Sequence, residues 1–421
     1  MTSVVTKSPV RDAAKLIQAA EIRLAESVWP QLETTCETVL ARVLGAFAAH
    51  RVGEEHFASV TGYGHDDLGR AVTDKVFASV LQAEAAIVRP HFVSGTHAIA
   101  VALNAMVGHG DLLLSITGRP YDTLEEVIGI RGTSSQSLKA RGVRYEEISV
   151  FNEDGSLSVD RVVRDEAALL RQAKAILIQR SRGYSLRPSL TVDQIGELIR
   201  AVRQINPGVI VFVDNCYGEF TNENEPCAVG ADLVAGSLIK NPGGGIVPAG
   251  GYVAGRADLV QAAAEALTCP GIGPKGGYTF DLTRLILQGL FMAPATVKEA
   301  LKGMTLAACV FEELGYKTWP CWDERRSDII QVIELGDADK LVRFCQNIQK
   351  ASPINAWVTP IPCEVPGYGD EVVMAGGTFI EGSTIELSAD GPLRPPYVAY
   401  LQGGLSYAHV KLALLQVLGS V

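Results

Sequence analysis

From residue 111 to residue 255, short strand-like runs alternate with stretches of helical periodicity, and no other feature narrows the possible folds so far. The runs are "DLLLSI" from Asp111, "RYEEISV" from Arg144, "AKAILIQ" from Ala173, "GVIVFVD" from Gly208, "ADLVAGSLI" from Ala231 and "AGGYVAG" from Ala249. Between them lie helix patterns such as "SVDRVVRDEAALLRQ" and "TVDQIGELIRAVRQI". Strands that are apolar on both faces need cover on both faces. The pattern therefore predicts an α/β fold with a mostly parallel sheet, and ligands near the carboxyl ends of its strands.

The flanks read differently. Residues 10–49 have a period near 3.6 and predict an N-terminal helical arm. Residues 275–315 are again helical, and the last hundred mix strands with helices, as in a smaller α+β domain. The expected division is an arm over 1–60, a large domain over 61–295 and a small C-terminal domain over 296–421. A chain of 421 residues, 47% of them hydrophobic, supplies core for this.

Composition removes other classes. The net charge is −10, and no basic run stands ready to neutralise phosphates along a duplex, which argues against nucleic-acid binding. Residues 90–110, "PHFVSGTHAIAVALNAMVGHG", lack Asp, Glu, Lys and Arg, yet histidines, Ser94, Thr96 and Asn104 mark a buried helix rather than a membrane span. The N-terminus has no apolar core of the signal-peptide type. Eight cysteines show no C-x-x-C pair and no zinc spacing, so a reduced cytoplasmic protein without a metal is expected.

Four stretches at or near strand ends could carry chemistry. "SGTHA" (94–98) opens a helix whose free amides and positive dipole end suit a phosphate; as structure alone, Ser94 or Thr96 is an N-cap. In "VIVFVDNCYGEF", Asp214 follows an apolar run, where an acid faces a cation, a protonated ring nitrogen or, as the weaker option, a metal, or is simply an N-cap or a satisfied surface acid. In "AGSLIKNPGGGIVPAGGY" (235–252), Lys240 stands between an apolar run and glycines. Burial penalises its charged form and favours Schiff-base chemistry; the bland alternative is a lysine that snorkels into water. In "GPLRPPYVAYLQGG", Arg394 is held between prolines and suits either a carboxylate ligand or an interdomain salt bridge.

Taken together, the four give a phosphate cradle, an acid at a strand end, a lysine and a carboxylate-binding arginine. Pyridoxal 5'-phosphate (PLP) needs these four roles. Rival readings fare worse. Ser237 and Lys240 form an S-x-x-K, as in serine acyl-enzymes, but K-T-G and S-D-N are both missing. No G-x-x-x-x-G-K-[ST] is present, and "GYGHDDLG" does not fit G-x-G-x-x-G. A purely structural protein would be colourless, whereas a lysine-bound PLP absorbs in the near-visible.

On "GYGHDDLGR" at 62, "SGTHA" at 94, "GRPYDTLEEVIGIRG" at 118, "QRSRGYSLRPSL" at 179, "VDNCYGEF" at 213, "SLIKNPGGGIVPAGGYVAG" at 237 and "LSADGPLRPPYVAYLQGG" at 387, the chain resembles fold-type I PLP-dependent enzymes of the Cys/Met metabolism group. Within that group it is most similar to the methionine gamma-lyase-like family, also labelled aluminium resistance protein and cystathionine beta-lyase-like. The resemblance implies a PLP-dependent transferase-like fold with a three-layer large domain. It implies a carbon-sulfur lyase acting on a sulfur-containing amino acid; an aminotransferase or other α-carbon chemistry is the alternative.

Residue by residue, the resemblance implies Lys240 as the Schiff-base lysine and Asp214 as the partner of the pyridinium nitrogen. It implies Ser94, Gly95 and Thr96 with Ser237 on the phosphate, and Tyr121 stacked on the ring and assisting the leaving thiol. Tyr63 occupies the region from which related enzymes reach a neighbouring subunit's phosphate, which implies a homo-oligomer, a dimer with shared active sites or a tetramer. Arg394 resembles the arginine that takes the substrate carboxylate, and Ser181 or Arg182 falls near the ring hydroxyl. Two positions depart from the better-known members: Ile239 replaces a hydroxyl residue before the lysine, and His65 replaces an arginine after Tyr63.

Overall fold

The expected strand runs do pair into one sheet, and their burial shows why. The computed structural model describes residues 12–61, 67–365 and 369–419. The chain forms two units, Glu37–Pro294 and Met1–Cys36 with Ala295–Val421. In chain order the described helices are α1 (Ala13–Glu26), α2 (Trp29–Ala49), α3 (Leu68–Val80), α4 (Gly95–Met106), α5 (Asp122–Ile128), α6 (Val159–Asp165), α7 (Ala167–Gln172), α8 (Val192–Ile205), α9 (Ala257–Leu267), α10 (Thr283–Glu313), α11 (Ala338–Lys350) and α12 (Tyr407–Leu418).

The unit Glu37–Pro294 holds a seven-stranded sheet of β1 (Ala85–Arg89), β2 (Leu112–Ser115), β3 (Arg144–Glu147), β4 (Ala173–Gln179), β5 (Ile210–Asp214), β6 (Leu233–Ser237) and β7 (Gly251–Gly255). The order is β1-β7-β6-β5-β4-β2-β3. Neighbours from β3 to β6 are parallel, while β7 runs antiparallel to both β6 and β1. Leu113, Leu177, Phe212 and Leu233 join one core with Ile99 and Leu103 of α4 and with Leu259 and Val260 of α9. The intervening Leu112, Leu114, Ile176, Ile178, Val211 and Val213 are buried as well, so both sheet faces are covered, as the apolar runs require. The polar run "RYEE" becomes the exposed edge strand β3. Strand β1 lies upstream of the runs read from the sequence; "AAIVR" is too short and alanine-rich to stand out beside α3.

Helix α8 shows how local sequence sets an element. Thr191 Oγ1 accepts from the Gln194 amide at 3.2 Å, and Gln194 Oε1 accepts from the Thr191 amide at 2.9 Å, a reciprocal cap. Behind it Val192, Ile195, Leu198, Ile199 and Val202 bury one face.

The other unit has a five-stranded antiparallel sheet, order β10-β11-β12-β9-β8, from β8 (Lys317–Trp319), β9 (Ile330–Glu334), β10 (Val372–Ala375), β11 (Ser388–Pro392) and β12 (Val398–Gln402). Its core joins Phe311 of α10, Leu341 and Phe344 of α11 and Leu414 of α12 to Ile17, Ala20 and Leu24 of α1. Around that joint Trp29 Nε1 donates to Thr305 Oγ1 at 3.1 Å, and Lys411 Nζ pairs with Glu21 at 2.7 Å. The first helix of the chain is thus built into the unit that holds its last. Among the described residues, no helix is long and apolar enough to cross a membrane.

Because Leu24 is fully buried at that joint, Leu24→Ala is expected to cost about 2–5 kcal/mol of stability, read as a lower denaturant midpoint.

Candidate active site

Strand β6 stops at Ser237, and Lys240 stands three residues on, just ahead of a 3-10 turn over Asn241–Gly243. The run "ADLVAGSLI", expected as one strand, therefore breaks at Ser237. Half-buried there, Lys240 places Nζ 4.1 Å from the centroid of the Tyr217 ring, a cation–π contact. Burial works to pull its ammonium down, but Cys216, Tyr217, Asp214 and Tyr121 around it hold it above the ordinary lysine range.

Asp214 is the last residue of β5, level in the sheet with Gln179 of β4 and Ala235 of β6. It is buried, and its Oδ1 accepts from the Cys216 amide at 3.1 Å. It forms no ion pair among the described residues. Burial pushes its carboxyl up from the usual range, against the pull of the Lys240 charge and the Cys216 hydrogen bonds. A carboxylate in this position is stabilised by any cation brought against it.

The start of α4 meets these strand ends. Ser94 Oγ accepts from the His97 amide at 3.1 Å, so its side chain takes the N-cap role weighed above. Gly95 and Thr96 follow in the first turn, where amides have no partner within the helix. A Cβ on Gly95 would lie 3.1 Å from Ser237 Cβ and 3.4 Å from Cys216 Sγ, so the glycine lets the helix start press against the residues that end β5 and β6. Ser237 is buried, and its Oγ accepts from the Ile239 amide at 3.4 Å.

Tyr121 completes the group. Its hydroxyl donates to Thr96 Oγ1 at 3.1 Å, and its amide donates to Gln179 Oε1 at 3.0 Å. Burial and the nearby Asp214 and Cys216 push its phenol well above the usual tyrosine range. Gln179 Nε2 in turn donates to the Ser181 carbonyl at 2.9 Å, and the Arg187 guanidinium donates to the carbonyls of Gln179 and Ser181 at 2.8 and 2.7 Å. The amide of buried Arg182 donates to Ser189 Oγ at 3.1 Å.

The fold thus gathers Ser94, Gly95, Thr96, Tyr121, Asp214, Ser237 and Lys240 from distant parts of the chain. Tyr63 lies outside the described residues. Arg394, in the unit with Ala295–Val421, is exposed and pairs with Asp370 Oδ2 at 2.9 Å. Sequence reasoning missed Gln179, Arg187 and Tyr217. Gln179 carried the same signal as Asp214, a polar residue at the carboxyl end of a buried parallel strand.

The residues present fit PLP on three observations: a buried carboxylate without an ion pair, an amine beside it, and a glycine-bearing helix start packed against a serine. A ring nitrogen, an aldehyde and a phosphate are the groups these would take.

A family model described as methionine gamma-lyase matches residues 13–421. An uncharacterised protein of Bacillus subtilis (strain 168) is 50% identical over 392 residues, 93% of this chain and 92% of its own length. The crystal structure of a carbon-sulfur lyase involved in aluminium resistance from Clostridium novyi NT matches with a TM-score of 0.92 at 44% identity, covering 98% of this chain and 96% of that one. The PLP-dependent protein YhfS of Escherichia coli matches with a TM-score of 0.59 at 16% identity over 93% of this chain and 97% of its own, a likeness of fold.

Gln179→Leu leaves the Tyr121 amide without its acceptor. The expected cost is about 1–3 kcal/mol, seen as a lower Tm.

Proposed function

The chain belongs to the methionine gamma-lyase family, and from that premise we propose that it is a PLP-dependent carbon-sulfur lyase that converts a sulfur-containing amino acid to thiol, ammonia and 2-oxo acid. The observation that carries this reading is the convergence of the Lys240 amine, the Asp214 carboxylate and the α4 helix start at the carboxyl ends of β5 and β6. When bound, the cofactor supplies an electron sink for charge released at the substrate Cα.

The chain's own residues then divide the work. Lys240 Nζ would hold the cofactor aldehyde, and Asp214 would keep the ring nitrogen protonated. The Gly95 and Thr96 amides with Ser237 would hold the phosphate, on a turn fixed by the Ser94 cap. Asp214, paired with the ring cation, would bear less on the ammonium of Lys240. Once the substrate amine has displaced it from the aldehyde, Lys240 Nζ would take the Cα proton and, for γ-elimination, move a Cβ proton. Tyr121 has the opposite bias. Its raised phenol keeps its proton at ordinary pH, so it serves as donor to the departing sulfur, with Thr96 Oγ1 fixing the hydroxyl. The family likeness also supports a homo-oligomer in which Tyr63 serves a neighbouring chain.

Lys240→Ala is expected to lose the near-visible band of the PLP-loaded protein and to slow turnover by about 10²–10⁴-fold or more, while Asp214→Asn keeps the band and loses rate. Incubation with a panel of sulfur amino acids should release thiol and 2-oxo acid from at least one. Amino transfer with no thiol from any of them overturns the lyase reading.

A further inference from the structure

Tyr217 has no part in the scheme above, although its ring lies against the amine of Lys240. Nζ stands 4.1 Å from the ring centroid, over the π face and well within the roughly 6 Å at which an ammonium is drawn to the ring quadrupole. Asp214, Cys216 and Tyr121 also face this amine, and each acts on it through a group that can gain or lose a proton. The face of an aromatic ring does not titrate: it attracts the ammonium and has little hold on the neutral amine.

The backbone is built to bring ring and amine together. Tyr217 stands just past the end of β5 with φ +66°, a left-handed conformation that is rare for a bulky side chain. Asn241, fully buried and next in sequence to Lys240, donates from Nδ2 to the Tyr217 carbonyl at 3.0 Å and to the Glu219 carbonyl at 2.9 Å. One side chain thus ties the segment after β5 to the turn after β6. The lysine turn is itself closed: the Gly243 amide donates to the Lys240 carbonyl at 3.2 Å, and a Cβ on Gly243 would collide with the Leu238 carbonyl. On its other side the Tyr217 side chain packs against the core that joins α4 to the sheet. Backbone strain held in place by a buried amide marks the spot that the strained residue serves, and here that spot is the Lys240 amine.

We propose that Tyr217 is a positioning residue for Lys240: its ring holds the ammonium form of Nζ in place, and so steadies the charge that arises there when the amine accepts the Cα proton. An interaction that gains strength only as the proton moves favours the transfer over the state before it. The inference rests on Lys240 being the reactive amine of the proposed function. Its test uses neither cofactor nor substrate, so its failure leaves the lyase reading standing, and a failure of thiol release leaves this contact standing.

The test is pulse acylation of the full-length, cofactor-free chain at about pH 9, with Lys240 modification read by mass spectrometry against an exposed lysine. Only the neutral amine reacts, so the rate reports how firmly the ammonium is held. Tyr217→Phe, which keeps the ring, is expected to react within about twofold of wild type, and Tyr217→Leu about tenfold faster, the equivalent of one pKa unit on Lys240. A series of ring-fluorinated phenylalanines at position 217 separates electrostatics from packing, because fluorine withdraws charge from the π face and leaves the ring its shape. Each added fluorine should raise the rate. A flat series overturns the proposal, because a purely structural role does not follow the charge of the ring. A Tyr217→Leu variant no faster than wild type, or a Tyr217→Phe variant as fast as Tyr217→Leu, overturns it too. If Tyr217→Leu does not fold by circular dichroism, the fluorinated series decides alone.

Discussion

The burial of Asp214 without an ion pair is the constraint on which the site depends. A carboxylate at the end of a strand that is apolar on both faces gives up its water, and the Cys216 amide and thiol return only part of that loss. The deficit is tolerated because β4, β5 and β6 are covered on both faces, so the core holds Asp214 in place whatever it would prefer. What remains is a fixed demand for positive charge at one point in space. Lys240 answers it from a distance, and in the proposed function a protonated ring would answer it by contact. Under the proposed function the same demand ties the helix start, the tyrosine and the lysine together: each would meet a different part of one ligand whose cation would be held at Asp214.

The layout of this site was legible where polar residues interrupt apolar runs. Asp214, Ser237 and Lys240 stand at or just past the ends of buried parallel strands, and Gly95 opens a helix that could be read from its cap. The rest was hidden for definite reasons. Gln179 acts through the Tyr121 backbone, and which amide an acceptor meets depends on the crossing of two segments. Strand β1 pairs with β7 through four small or aliphatic positions and Arg89, a run that reads equally well as a helix end. For Arg394 the sequence left a substrate carboxylate and an interdomain salt bridge open, and the structure contributes a pair with Asp370 within one unit.

Ser94 teaches a related point about roles. Its hydroxyl oxygen accepts from the His97 amide and so sets the shape of the turn, while the O–H remains a donor. Gly95 contributes by lacking a side chain, and Ser237 by being small enough to receive the helix start. Three residues that the proposed function groups as one phosphate cradle thus differ in what the structure gives each of them: a cap, a close approach and a floor.

The seating of α1 carries a consequence for how the molecule is made. Ile17 and Leu24 find their partners on α10, α11 and α12, so the smaller core can close only after the far end of the chain has left the ribosome. Most of the sheet unit is encoded between those two ends and can form earlier, from contacts of shorter sequence separation. An amphipathic helix with an apolar stripe therefore waits, uncovered, through most of synthesis. Its polar flanks, with Lys15, Glu21 and Arg23, keep that interval soluble. The order of translation and the order of assembly differ in this protein: α1 is made before the sheet unit and settles after it.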